Sequence, residues 1–191
     1  MALFNWAAPI FHRFANRWSD EHIAEIAVKL SPFLAERRAV LDLGGGTGAL
    51  AVRMAETLPA TVTVLDPTPE MVRYIPAHPR VAGLVGSAEA MPFDDNAFDA
   101  VVVSDAFHHF RDQGGAAREI ARVTRPGGAL FMLEFDNRGM MRLVVWGEKL
   151  LGEPGAFLSP GELCEFLAAQ GIFGSCVPTS KASYYFLGEV R

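Results

Sequence analysis

The feature that most constrains the fold is a regular alternation of strand-like and helical segments along the chain. The strand-like runs are rich in β-branched and aliphatic residues and lie at Val40–Leu43, Ala60–Asp66, Val81–Gly86, Phe98–Asp105 and Gly128–Phe135. Helical patterns lie between them at Thr47–Leu58, Thr68–Ile75 and Gly114–Gly128, the last stopped by Pro126-Gly127. Such alternation is typical of an α/β fold with a parallel sheet covered on both faces. Ligands of these sheets bind beyond the carboxyl ends of the strands.

Other segments fall outside this alternation. Apolar residues recur at helical spacing near the N-terminus, at Leu3, Ala7, Ile10, Phe11, Phe14 and Trp18. An apolar-rich helical insert is predicted at Gly139–Pro154, then a helix with a Ser159–Glu162 capping box, and a last strand at Tyr184–Val190. We interpret residues 1–191 as a single domain with an N-terminal helical cap at about 1–38 and the insert at about 139–154.

The composition argues against several kinds of partner. Half of the 191 residues are hydrophobic, which suits one domain with a full core. The net charge of −5 argues against nucleic acid and anionic membranes as partners. The two cysteines, Cys164 and Cys176, share no metal-ligand spacing, so we expect a reducing, cytoplasmic setting and no metal site. No window approaches about 18 uninterrupted apolar residues, so stable membrane insertion is not expected.

The stretch "VLDLGGGTGAL" (Val40–Leu50) reads as a buried strand, a glycine turn and a helix. Gly44, Gly46 and Ala49 satisfy the dinucleotide pattern G-x-G-x-x-G/A, but Gly44, Gly46 and Gly48 equally satisfy G-x-G-x-G. Asp42 lies two residues before the first glycine, where it would repel a pyrophosphate. A cofactor with a cationic amino-acid end, such as S-adenosylmethionine, would use that acid instead.

A second acid, Asp66, ends the next strand-like run. A carboxylate there can accept hydrogen bonds from both ribose hydroxyls, and it would repel the 2′-phosphate of NADP. Asp66 therefore supports an adenosine cofactor but does not choose between NAD and S-adenosylmethionine.

Sequence blocks further along the chain distinguish S-adenosylmethionine from NAD as the cofactor. Five blocks occur in order, at Leu41–Gly48, Asp66, Gly86–Val101, Ala106–His109 and Arg122–Phe135. Together they resemble class I S-adenosylmethionine-dependent methyltransferases, and more closely the small-molecule branch that includes the ubiquinone/menaquinone-biosynthesis C-methyltransferases. The resemblance covers residues 38–136. It implies a Rossmann-like, doubly wound, mostly parallel seven-stranded sheet with helices on both faces. It also implies S-adenosylmethionine as donor and S-adenosylhomocysteine as product.

The resemblance implies cofactor-binding roles by position. Asp42, Gly44, Gly46 and Gly48 would hold the methionine portion of the donor, and Asp66 would bind its ribose. The adenine would be surrounded by Pro67, Ser87, Ala88 and Glu89, and Ser104 would line the methyl end. One position departs from the family, which often has an aspartate where this chain has Ser87. A serine accepts the adenine amino group less strongly than an ion does.

Three candidate catalytic residues follow the fourth strand, where an acceptor should approach: Asp105, His108 and His109. Methyl transfer needs a base only when the nucleophile must lose a proton, as an enol carbon or a phenol does. Histidine titrates in a useful range. The alternative for the histidine pair is structural packing at the start of a short helix.

The predicted function is methyl transfer to a small, apolar or aromatic acceptor, with quinone-type C-methylation as one specific hypothesis. The apolar N-terminal and 139–154 segments have three interpretations: a lid over the acceptor, additional core, or a homodimer or loose membrane contact. A non-catalytic cofactor-binding module remains an alternative. An NAD-dependent oxidoreductase is another, although no tyrosine of the chain begins the Tyr-x-x-x-Lys pair of short-chain dehydrogenases.

Overall fold

The computed structural model describes residues 19–34, 38–135, 156–179 and 183–191. Within them, seven strands form one sheet in the order β3-β2-β1-β4-β5-β7-β6. These strands are β1 (Ala39–Leu43), β2 (Thr61–Asp66), β3 (Val81–Val85), β4 (Phe98–Ser104), β5 (Thr124–Phe135), β6 (Ile172–Pro178) and β7 (Ser183–Val190). β7 runs antiparallel to β5 and β6, and the other neighbouring pairs are parallel. The predicted α/β fold with a mostly parallel seven-stranded sheet is confirmed.

The described helices lie on both faces of this sheet. They are α1 (Asp20–Leu30), α2 (Ala49–Thr57), α3 (Pro69–Val72), α4 (Gln113–Val123) and α5 (Pro160–Ala168), with 3₁₀ turns at Ser31–Phe33 and Phe107–His109. Alternate residues of β1 face opposite sides, as the two-residue repeat of a strand requires. Val40 packs in the apolar cluster that holds α1 and α2, whereas Leu41 packs in the cluster with α4 and α5. Each face of the sheet thus has its own core.

The helix predicted at Gly114–Gly128 ends earlier than the sequence pattern indicated. α4 stops at Val123, and Thr124 is already extended and paired with Phe98 of β4. Arg125 Nε donates to buried Asp99 Oδ1 at 2.6 Å. The pairing register shifts between Phe98 and Ala100, which accommodates the Pro-Gly pair within β5. Pairing with a buried strand therefore overrides helix propensity here.

The sequence did not predict β6, which lies at the edge of the sheet. This strand contains a glycine and ends on proline, and both are unfavourable in strands. Gly174 lies opposite Gly188 of β7, and a Cβ on Gly174 would meet the carbonyl oxygen of Leu187. The backbones of β6 and β7 can approach closely only because these two glycines face each other. The sequence of the β6 segment alone does not show this pairing.

Two expectations near the ends of the described ranges are confirmed. The Ser159–Glu162 capping box forms, and the last strand returns to the sheet as β7. The apolar N-terminal stripe and the Gly139–Pro154 insert lie outside the described residues. Of the helices that the structure does describe, none has the length and apolar character needed to cross a membrane.

Candidate functional site

The turn after β1 depends on its glycines. Gly44, Gly46 and Gly48 have φ values of +73°, +56° and +70°, in the left-handed region that glycine tolerates best. Gly44 N–H donates to the Leu65 carbonyl at 2.8 Å, and a Cβ on Gly44 would lie 2.7 Å from Ala106 Cβ. A Cβ on Gly46 would meet nothing within 4 Å in the described parts of the chain. The turn is therefore closed at Gly44 and open at Gly46, where a ligand can approach the backbone.

Asp42 lies beneath this turn at the end of β1 and is only 1% exposed. Its Oδ2 is buried and accepts no hydrogen bond from the described parts of the chain. Burial, together with the nearby negative charge of Asp66, raises the pKa of Asp42 to about 7. A buried carboxylate oxygen left without a hydrogen bond among the described residues is costly, so a cationic ligand at this position would be stabilised.

Asp66, at the end of β2, connects the turn to the next strand. Its Oδ2 accepts the Gly46 N–H at 3.0 Å, and its Oδ1 accepts the Thr68 N–H at 2.8 Å. Burial raises the pKa of Asp66, although both backbone bonds act in the opposite direction. Each carboxylate oxygen can accept more than one hydrogen bond, so ribose hydroxyls can share this side chain. The structure thus brings Asp42, the three glycines and Asp66 together.

The segment after β3 lies beside the chain that follows β4. Ser87 is exposed and its hydroxyl donates to Glu89, whose Oε1 accepts the Arg111 N–H at 3.1 Å. Burial acts to raise the pKa of Glu89, but the hydrogen bonds that it accepts outweigh burial and lower it. Ala88 is buried, and Pro67 is exposed after β2. Glu89 therefore has a structural partner that the sequence did not indicate.

Ser104 and Asp105 lie at the carboxyl end of β4. Ser104 Oγ is buried and has no hydrogen-bond partner within the described residues. Asp105 is half-buried and has a φ of +55°, and its N–H donates to the Leu133 carbonyl at 2.8 Å. A non-glycine residue in this conformation is strained, and such strain is concentrated at functional sites.

The two histidines lie in the 3₁₀ turn that follows. His108 is 4% exposed and its Nδ1 lies 2.7 Å from Glu134 Oε2. The ring of His108 stacks on the ring of Phe157, with 4.1 Å between their centroids. The ring of His109, which is half-buried, has its centroid 4.0 Å from that of His108. Sequence reasoning missed Glu134, although an acid near the carboxyl end of an otherwise apolar strand was a usable signal.

A cavity of about 270 Å³ lies between α1 and the carboxyl end of β5. Its apolar lining is Ile26, Phe131, Leu133 and Tyr185, and its acidic lining is Glu25, Asp105 and Glu134. Lys29, which forms a 3.4 Å ion pair with Glu25, donates to the Tyr185 hydroxyl at 2.8 Å. Asp105 is the one predicted catalytic residue among the described residues that line this cavity.

Comparison with known proteins shows which family the chain resembles. The family described as "Methyltransferase domain" matches residues 41–132. An uncharacterized methyltransferase of Mycobacterium tuberculosis strain H37Rv is 47% identical over 97 residues, which are 50% of this chain and 39% of the relative. The chain thus matches well under half the length of that relative.

Two further matches extend over most of the chain. A demethylmenaquinone methyltransferase of Thermus thermophilus is 36% identical over 170 residues, covering 82% of this chain and 77% of the relative. The crystal structure of the [4+2]-cyclase SpnF superposes with a TM-score of 0.80 at 18% identity, over 99% of this chain and 94% of that one. The second likeness shows the fold alone, whereas the first shows the family. The chain belongs to the class I S-adenosylmethionine-dependent methyltransferases.

Proposed function

We propose that this chain transfers the methyl group of S-adenosylmethionine to a small acceptor. The observation that carries the proposal is the buried Asp42 Oδ2, which lacks a hydrogen bond within the described residues, beneath a turn of left-handed glycines beside Asp66. S-adenosylmethionine has a cationic ammonium, a sulfonium and no phosphate. A binding site with two buried acids therefore favours S-adenosylmethionine over a dinucleotide, because those acids would repel the pyrophosphate of a dinucleotide.

The donor, when bound, supplies an electrophilic methyl group on its sulfonium. Asp42 would hold the ammonium end directly or through water, and Asp66 would accept from the ribose hydroxyls. Gly46 lets the donor approach the backbone, and Ser104 would line the methyl end. Such a site lowers the barrier mainly by proximity, alignment and exclusion of water.

The acceptor would occupy the cavity beside Asp105. Its aliphatic and aromatic lining favours an acceptor with an apolar or aromatic body, and its volume lies near the lower end of small-molecule sites. Asp105 would take the proton that a carbon or hydroxyl nucleophile loses. The name of the Thermus relative favours a quinone-type acceptor, and methylation on carbon is our specific hypothesis for it.

Separate calorimetric titrations with S-adenosylmethionine, S-adenosylhomocysteine and NAD test the donor. Binding of the first two without NAD is expected, whereas binding of NAD alone would make the chain an oxidoreductase candidate. Binding of none would favour a non-catalytic module. A methyl-transfer screen over quinones, phenols, amines and thiols then tests the acceptor, and activity confined to amines or thiols would exclude the quinone hypothesis.

A further inference from the structure

The two cysteines of the chain lie in contact, away from the donor and acceptor sites. Cys164 on α5 and Cys176 on β6 have their sulfurs 3.2 Å apart. Both side chains are half-buried, so small reagents can reach them. Neither residue lines the cavity beside Asp105, and neither contacts the glycine turn in the described structure. Because the chain has two cysteines in all, any chemistry that consumes both thiols can be assigned to this pair.

We propose that Cys164 and Cys176 form a dithiol site that low-molecular-weight disulfides oxidise to an intramolecular disulfide. The sulfur contact brings the second thiol within reach of the first, so each exchange step can proceed without large movement of α5 or β6. The site is independent of methyl transfer, because neither cysteine takes part in the proposed function.

The order of the two steps follows from the surroundings of Cys176. Burial and the neighbouring Cys164 raise the pKa of Cys176, which disfavours its thiolate. Cys164 therefore attacks the small disulfide first, forms a mixed disulfide and releases one small thiol. Cys176 then loses its proton and attacks the Cys164 sulfur, which releases the second small thiol. The two protein thiols lose two electrons and two protons, and the small disulfide gains them.

The new bond would tie α5 to a strand at the edge of the sheet. β6 pairs with β7 on one side, and no other described strand pairs with it. The bond would close a loop that includes Gly171, whose φ is +81°. Closing this loop reduces the conformational freedom of the unfolded chain, so the oxidised protein should melt at a higher temperature.

The full chain, first reduced, is equilibrated with mixtures of reduced and oxidised glutathione and its intact mass is measured. The expected product has lost both free thiols and two hydrogen atoms, retains no glutathione and is restored by dithiothreitol. Its Tm should rise by about 5 °C. Cys176→Ser should stop at a glutathione adduct on Cys164. Two retained glutathiones, disulfide-linked dimers or two persistent thiols would overturn the proposal.

A second measurement needs no variant to fold. A trivalent phenylarsenical binds two thiols only when both sulfurs can reach one arsenic atom. The reduced wild-type chain should bind one equivalent and lose both titratable thiols. Failure of the wild-type chain to bind would show that the sulfurs do not meet in solution.

Discussion

His108 Nδ1 lies 2.7 Å from Glu134 Oε2, with both side chains buried. The other oxygen, Oε1, accepts the Phe107 N–H at 2.8 Å, so one carboxylate joins the end of β5 to the turn after β4. The His108 carbonyl accepts the Ala156 N–H at 3.1 Å. Glu134 and His108 thus connect three segments at the edge of the proposed acceptor cavity.

Glu134→Ala should destabilise the protein strongly. The substitution leaves two buried donor groups, His108 Nδ1 and the Phe107 N–H, without their acceptor. We expect a loss of about 3 kcal/mol in the free energy of unfolding. Urea unfolding measures the loss, and Glu165→Ala, an exposed glutamate on α5, is the matched control. Equal midpoints for the two variants would contradict the structural importance of the pair.

Substitutions of Asp105 and His108 should have different effects on kcat and Tm. Asp105 lines the cavity, whereas His108 is absent from the described lining and packs against Phe157. Asp105→Asn should therefore lower kcat by about 100-fold with little change in Tm. His108→Asn should lower Tm, while the folded fraction keeps most of its kcat. A reversed pattern would identify His108 as the catalytic base.

Gly46→Ala should separate donor binding from folding. The new Cβ would meet no atom of the described residues within 4 Å, but it would enter the space proposed for the donor. Gly127→Ala is the control, because Gly127 also has a positive φ, of +73°, and lies outside the proposed donor site. Each substitution should cost about 1–2 kcal/mol of stability from its left-handed backbone. Only Gly46→Ala should weaken the binding of S-adenosylmethionine measured by calorimetry. Equal affinities of the two variants would argue against the proposed donor site.

Asp42 should make stability and donor binding depend on pH. Because its pKa is raised from 3.8 to about 7, the folded chain holds a proton there that the unfolded chain releases near pH 4. The Asp42 contribution to stability is therefore present below about pH 4 and is lost as the pH rises through 7. Without donor, wild-type Tm should fall over this range relative to Asp42→Asn.

Donor affinity should change in the opposite direction. A cationic ammonium favours the Asp42 carboxylate, so binding should strengthen by up to about tenfold per pH unit below pH 7 and level off above it. Calorimetry between pH 5.5 and 8.5 measures this dependence. Asp42→Asn should bind weakly with little pH dependence. An unchanged slope in this variant would assign the titration to another group.

Asp66→Ala should weaken S-adenosylmethionine by about 1–3 kcal/mol, because ribose hydroxyls and the Gly46 N–H would lose an acceptor. Asp94→Ala, at an exposed loop position, is the control and should bind normally. Circular dichroism and Tm should be recorded for both variants, since Asp66 also supports the turn. Unchanged affinity in a folded Asp66→Ala protein would refute the ribose assignment.

Much of the fold was predictable because its signals are local. The β-branched run at Phe98–Asp105 and the glycines after Leu43 each specify a strand or a turn from neighbouring residues alone. β6 and the early end of α4 were not predictable in this way. Both depend on pairing partners, Gly188 and Phe98, that are distant in the chain.

The same division applies to the candidate site. The sequence by itself determined the order of β1 to β5 with the helices between them and the acids at the ends of β1 and β2, because strand ends and glycine turns are encoded by adjacent residues. Only the tertiary structure decided that Asp42 lacks a hydrogen bond at Oδ2 among the described residues, that Glu134 holds His108, and that Cys164 meets Cys176. Burial and partner choice are properties of residues brought together from distant parts of the chain, and no local pattern contains them.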